Sequence, residues 1–145
     1  MKKFLSLLCL SVVIVVACSE VTHHDYTFTG ESEHWEAEYV YEGTEKRREE
    51  DGVESYSNEM DYEFILTYKG TLEELSPLER LSYSYETTSS GGESTRTFNE
   101  PPSKVTFTKR GGSTGSSVMS KDEVIQVTVK WGEAEELFEL RNERK

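Results

Sequence analysis

Three observations predict an all-β fold. Apolar and polar residues alternate with a period of two after about residue 25, no stretch sustains a helical period, and turn signals recur every 8–15 residues. The preferred arrangement is an antiparallel β-sandwich of immunoglobulin-like architecture. The alternative is a small closed barrel of the lipocalin kind. The first label is architectural only, because the Cys…Trp…Cys spacing of true immunoglobulin domains is missing.

Tyr26 and Phe28 start the alternation. Trp35, Ala37, Tyr39 and Tyr41 then share one side of a strand, with Glu36, Glu38 and Glu42 on the other, so this strand has one dry and one wet face. Asp51-Gly52 is a hairpin signal joining two polar arms, 44–50 and 53–59. Tyr62, Phe64, Leu66 and Tyr68 alternate with Glu63, Ile65, Thr67 and Lys69, and Ile65 on the second face marks a more central strand. Thr71 followed by Glu74 fits a capping box, and Pro77 forbids a long continuation, which predicts one helical turn crossing between sheets.

Leu81, Tyr83 and Tyr85 resume the strand pattern, and Gly91-Gly92 turns the chain into a short strand over 95–98. Pro101-Pro102 ends it, and Val105 and Phe107 mark the next. Residues 111–117 (GGSTGSS) read as a flexible loop. Ile125, Val127, Val129 and Trp131 give the cleanest strand, and Gly132 turns it into a last one holding Leu137 or Phe138 and Leu140. The pattern predicts eight to ten short strands in one domain, with no internal repeat.

The N-terminus reads differently. Lys2 and Lys3 precede a 13-residue apolar run, Phe4 to Val16. A membrane-spanning helix needs roughly 20 residues, so the run is the core of a targeting peptide. It closes on Val15-Val16-Ala17-Cys18, which resembles the lipobox of bacterial lipoproteins. That resemblance implies cleavage before Cys18 and a diacylglyceryl thioether on its sulfur, making Cys18 the lipidation site. The expected organisation is a signal peptide over 1–17, a lipidated cysteine with a short tether over 18–25, and one β domain over 26–145.

Cysteine usage agrees with this. Of the chain's two cysteines, Cys9 falls in the discarded segment, so the mature chain keeps Cys18 alone and forms no internal disulfide. Ser19, rather than Asp, follows it. By resemblance, that permits transfer to an outer membrane in a Gram-negative host. In a Gram-positive host the protein sits on the outer face of the only membrane.

Removing residues 1–17 takes two lysines from a chain of net charge −12, leaving 128 residues at −14. Such a domain is large enough for one core and too acidic for nucleic acid, whose binders are basic. The same charge predicts repulsion from anionic headgroups and no membrane patch besides the lipid. Between Glu31 and Glu63 stand 13 acids against Lys46, Arg47 and Arg48. They read as solvated strand faces that discourage edge pairing, or as a docking zone for cations or a basic peptide. Glu49-Glu50-Asp51-Gly52 lacks calcium-loop spacing.

Tyr39, Tyr41, Tyr83 and Tyr85 are the candidate ligand-face residues, since i, i+2 tyrosines can pave one face for glycan or peptide. Against this stands a core in which tyrosine bodies are buried. His23 and His24 are adjacent on an extended segment and point apart, so no metal site is expected. The 109–117 loop lacks the Gly-Lys-Ser/Thr ending of a phosphate-binding loop. There is no Gly-x-Ser-x-Gly elbow. No cofactor and no enzyme are therefore expected.

The run from Tyr26 to Tyr39 (YTFTGESEHWEAEY) and that from Asp122 to Trp131 (DEVIQVTVKW) look like segments of small, uncharacterised lipoproteins of Gram-positive, Bacillus-like bacteria. The resemblance implies a location on the outer face of the plasma membrane and brings no catalytic residues. The expectation is a monomeric, lipid-anchored binding or interaction module of the cell envelope. Its partner is an envelope protein, a cationic peptide or a glycan. The alternatives are a cation- or glycan-binding sensor domain and, less favoured, a cell-wall-acting hydrolase with a carboxylate pair.

Overall fold

Eight antiparallel strands form one continuous sheet in a computed structural model that describes residues 18–144. They are β1 (Cys18–Glu31), β2 (Trp35–Glu50), β3 (Val53–Tyr68), β4 (Arg80–Glu86), β5 (Gly91–Thr97), β6 (Thr106–Thr114), β7 (Ile125–Trp131) and β8 (Ala134–Asn142). A short helix, α1 (Leu72–Leu75), links β3 to β4. The order across the sheet is β5-β4-β7-β8-β1-β2-β3-β6.

The sheet rolls until its two edges face each other. The ammonium of Lys109 on β6 donates to the Glu93 carbonyl on β5, and the Arg96 guanidinium lies 5.7 Å from the Phe107 ring centre. No backbone ladder joins β5 to β6 among the described residues. The result is a nearly closed barrel, so the all-β expectation holds and the barrel describes the arrangement better than two separate sheets. The order is not sequential, because β3→β4 and β6→β7 skip neighbours, so the connections are not those of an up-and-down barrel.

The turn chemistry places the elements. Asp51 and Gly52 both have positive φ, 52° and 78°, the requirement of a type I′ hairpin. Thr71 caps α1 by accepting from the Glu74 amide at 3.3 Å. The interior is filled, chiefly by aromatic rings: Phe28, Trp35, Tyr39, Tyr41, Phe64, Tyr85 and Phe107 are each at most 1% exposed. Among the described residues no charged side chain is buried.

Two expectations about segments change. Residues 18–25, expected to be a tether, are the first half of β1 and pair with β2 from Cys18↔Glu49 onward. The cause is the length of the β2–β3 hairpin, whose polar arms continue the inner strands and offer β1 a ladder to extend along. Residues 111–114, expected in a loop, are the end of β6. Gly111 pairs with Tyr62, and a Cβ at Gly111 would come 2.6 Å from that ring. Gly92 does the same opposite Tyr85, where a Cβ would lie 2.3 Å from the hydroxyl. These glycines are strand positions emptied so that a cross-strand aromatic ring can lie over the backbone.

Candidate functional site

The four tyrosines expected to pave a ligand face lie in the interior. Tyr39, Tyr41, Tyr83 and Tyr85 are 1–3% exposed. Strand alternation aims them inward with the rest of the core, so the ligand-face expectation is corrected to a packed aromatic stack. Tyr39 stacks on Tyr62 at 5.0 Å, and Tyr85 stacks on Phe64 at 4.5 Å. The Tyr62 and Tyr85 hydroxyls share a 2.7 Å hydrogen bond. Burial first, then the neighbouring Tyr62 and Tyr41, pushes the Tyr39 hydroxyl well above its usual range. Burial and the bond to Tyr62 do the same at Tyr85. These phenols stay neutral and act as packing groups.

Ser32, His34 and Glu136 meet where the β1–β2 loop crosses the start of β8. The Ser32 hydroxyl donates to Glu136 Oε1 at 2.5 Å, the His34 amide donates to the same oxygen at 2.9 Å, and His34 Nδ1 lies 2.6 Å from Oε2. Burial raises the Glu136 carboxyl, but the Ser32 hydroxyl and the His34 amide and ring outweigh it and hold the group below the usual carboxylate range. A nucleophilic triad needs the imidazole between hydroxyl and carboxylate. Here the carboxylate is in the middle, so the cluster fastens a loop and does not activate a serine.

An open groove of about 800 Å³ lies between α1 and the outer face of β4, β5 and β7. Trp131 and Tyr68 line it together with Glu74, Glu93, Arg80 and Lys130. Tyr68 leans on Glu74, hydroxyl to carboxylate 3.3 Å. Burial, followed by the Glu74 charge, raises the Tyr68 hydroxyl. Tyr68 is itself buried, so the part-exposed Trp131 ring is the groove's aromatic surface, and beside acids and bases it suits a polar ligand with an apolar side, such as a saccharide. The sequence holds one signal for this groove: Trp131 ends its strand next to Gly132, so its ring sits at the rim.

The other end of the molecule holds Cys18. Residues 18–24, 43–50 and 53–58 form a three-stranded ribbon with no further strand partner among the described residues, since β8 meets β1 only at Phe28–Thr29 and β6 meets β3 only over 59–67. Cys18 is exposed, with a free thiol. On the ribbon's inner face Glu45 accepts from Tyr56 at 2.6 Å and contacts His24 at 3.1 Å, and both hold its carboxyl low, Tyr56 the more.

The acids of 31–63 are spread along both faces of β2 and β3. Among the described residues no three His, Cys, Asp or Glu side chains gather as metal ligands. No described helix is long and apolar enough to cross a membrane. Residues 1–17, expected to be a targeting peptide, lie outside the described residues. No protein-family model matches the chain, and no curated protein or solved structure matches it.

Proposed function

We propose that the protein is a lipid-anchored, extracytoplasmic binding module that does no chemistry on its partner. The quartet Val15-Val16-Ala17-Cys18 carries this reading, in a sequence whose mature form keeps no other cysteine. The exposure of Cys18, at the start of β1, supports it, since a modifying enzyme reaches the sulfur there without unfolding the barrel. The distal groove, with Trp131 and Tyr68 among mixed charges, is the binding surface favoured for a cell-wall glycan.

Cys18→Ala tests the anchor. The wild-type protein is expected to partition into the detergent phase of a cell extract and to take up labelled fatty acid. The variant does neither and keeps its circular dichroism and cooperative melt. Continued detergent partitioning of the variant would sink the reading. Two or three lipid chains hold a protein firmly, whereas one binds only marginally, so the expected difference is near complete.

A further inference from the structure

The ribbon leaves one edge of β1 open. On one side β1 pairs with β2 residue for residue along its whole length, without a bulge. On the other side β8 reaches it only at Phe28 and Thr29, with one further bond from the Glu143 amide to the Thr27 carbonyl. In an antiparallel sheet the amide and carbonyl of a residue point to the same neighbour, and consecutive residues alternate. Thr27 points to the β8 side, so Ser19, Val21, His23 and Asp25 point there too. Their amides and carbonyls meet no strand among the described residues.

Natural sheets guard such edges with lysine, proline, a bulge or an inward-pointing charge. The β5–β6 seam follows that rule: Arg96 shares a barrel-facing row with Leu81, Lys109 shares one with Phe64, and both cations stand at the gap. From Cys18 to Thr27, β1 has no lysine, arginine, proline or glycine. Its side chains from Cys18 to His23 are exposed, Val21 at 50%. Glu143 on Thr27 closes one end of the slot beside this edge, which leaves the stretch opposite residues 19–25 open.

The edge is complementary to itself. A second copy turned about a twofold axis through Thr22, perpendicular to the sheet, sets Ser19 against Asp25 and Val21 against His23. All the outward-pointing residues then exchange both of their bonds. A slip of two residues leaves part of the set unpaired, and a slip of one sets outward-pointing residues against residues that face β2. The side-chain rows agree. On the inner face Glu20, flanked by its own Arg47, stands opposite His24 of the second copy. The His24 ring is held on that face by contacts to Glu45 at 3.1 Å and Tyr26 at 3.3 Å. On the outer face Arg48 and Ser19 share a row with Asp25 and Glu42 of the second copy. No acid stands opposite an acid across the axis, and Thr22 faces Thr22, a favourable cross-strand pair.

We infer that two copies of the chain pair through β1, with Ser19–Asp25 of one antiparallel to Ser19–Asp25 of the other, and join their sheets into one. The pairing replaces the expectation of a monomer. It rests on the reading that the mature chain begins at Cys18, since a residue before Cys18 would run into the place that Glu143 holds beside Thr27. The axis puts both Cys18 side chains on the same face of the joined sheet, from which both lipids can enter one bilayer. Cys18 stands opposite Tyr26 of the other copy, so the two sulfurs are about 27 Å apart along the strands and form no disulfide with each other. Anchoring in one membrane raises the effective concentration of the two chains, which lets a short interface suffice.

The test uses the 18–145 chain at about 0.3 M sodium chloride, where repulsion between two acidic bodies is screened. Thr22→Cys, on a Cys18→Ala background, is expected to form an intermolecular disulfide, because its Cα lies about 4.5 Å from its copy in a non-hydrogen-bonded pair. Glu20→Cys, on the same background, is on the same exposed face but about 13 Å from its copy along the strands, and is expected to cross-link at least about tenfold more slowly. Sedimentation of the unaltered 18–145 chain is expected to give the mass of two chains. Val21→Pro removes an amide from the free edge and none from the β1–β2 ladder. It is expected to sediment as one chain with an unchanged circular dichroism spectrum. Equal cross-linking at 20 and 22, a two-chain mass for Val21→Pro, or a one-chain mass for the unaltered chain at every concentration overturns the pairing. The mass of the protein isolated from cells tests the other reading. Retention of residues 1–17 overturns the anchor and the pairing with it, whereas a cut at Cys18 with no dimer overturns the pairing alone.

Discussion

Tyr83 and Tyr85 stand two residues apart on β4 and point into the same interior, yet their hydroxyls have opposite circumstances. The Tyr85 hydroxyl is bonded to Tyr62 at 2.7 Å, and the buried Tyr83 hydroxyl has no protein partner. Losing the Tyr85 hydroxyl takes a partner from the part-buried Tyr62 hydroxyl and costs about 1–2 kcal/mol, whereas removing an orphan removes a desolvation penalty. Tyr85→Phe is therefore expected to lower stability by about 1–2 kcal/mol, and Tyr83→Phe to leave it unchanged or raise it. Urea unfolding of the 18–145 chain decides between them, and a loss at Tyr83→Phe equal to that at Tyr85→Phe would overturn the assignment. Neither environment was legible in the sequence. Alternation correctly put both rings on one side of a strand. Whether that side was a filled interior or an open face depends on how the sheet curls, and curling is set by pairings distant in sequence. The glycines show the same gap: 91–92 and 111–112 read as turn and loop, because a glycine that empties a strand position for a tyrosine looks the same in sequence as one that turns the chain.

The elements that sequence placed best are those with local causes. Asp51-Gly52 demanded a hairpin and adopts positive φ at both residues, and Thr71 and Glu74 demanded a cap. The length of β2 and β3 was missed, since polar arms with little to bury look independent of the inner strands they continue. The ribbon's stability thus rests on its turn and ladder. Gly52→Ala forces a Cβ into the left-handed region at a cost of about 1–2 kcal/mol. Amide exchange over 44–50 and 53–58 is expected to quicken about tenfold in that variant, while the barrel's melting temperature moves little. A matching drop in the barrel melt would mean that ribbon and barrel form one cooperative unit. The β1–β2 loop depends on charge instead. Glu136 titrates below its usual range in the fold, so its contribution is present above about pH 4.3, the unfolded carboxylate value, and is lost as pH falls through the lower folded value. Glu136→Gln is expected to flatten the acid limb of the stability profile below about pH 4, read from urea melts at pH 3 to 7, and a limb as steep as wild type would remove this role.

At the scale of the whole molecule, two electrostatic effects oppose each other. The chain carries 28 acids against 16 bases, a net charge of −12. Its ion pairs are surface contacts: Lys130–Glu135 at 3.9 Å, Arg110–Glu63 at 3.2 Å and Arg141–Glu139 at 2.9 Å each have at least one side chain more than 60% exposed. Exposed pairs contribute about 0–1 kcal/mol each, and salt weakens them. The excess of acids repels itself across a body only a few Debye lengths wide, and salt weakens that too. If pairs dominated, salt would destabilise the fold. With a net −12 and no charged side chain buried among the described residues, repulsion outweighs the pairs. The melting temperature of the 18–145 chain is expected to rise by several degrees between about 10 mM and 0.3 M sodium chloride, where the screening length falls from about 30 Å to below 8 Å. Sodium sulfate and sodium chloride at equal ionic strength separate screening from the general strengthening of apolar burial that sulfate brings. A rise in both salts marks screening of the acidic faces. A fall in chloride would assign the balance to the ion pairs and make the acidic strand faces a source of stability rather than a cost the barrel carries.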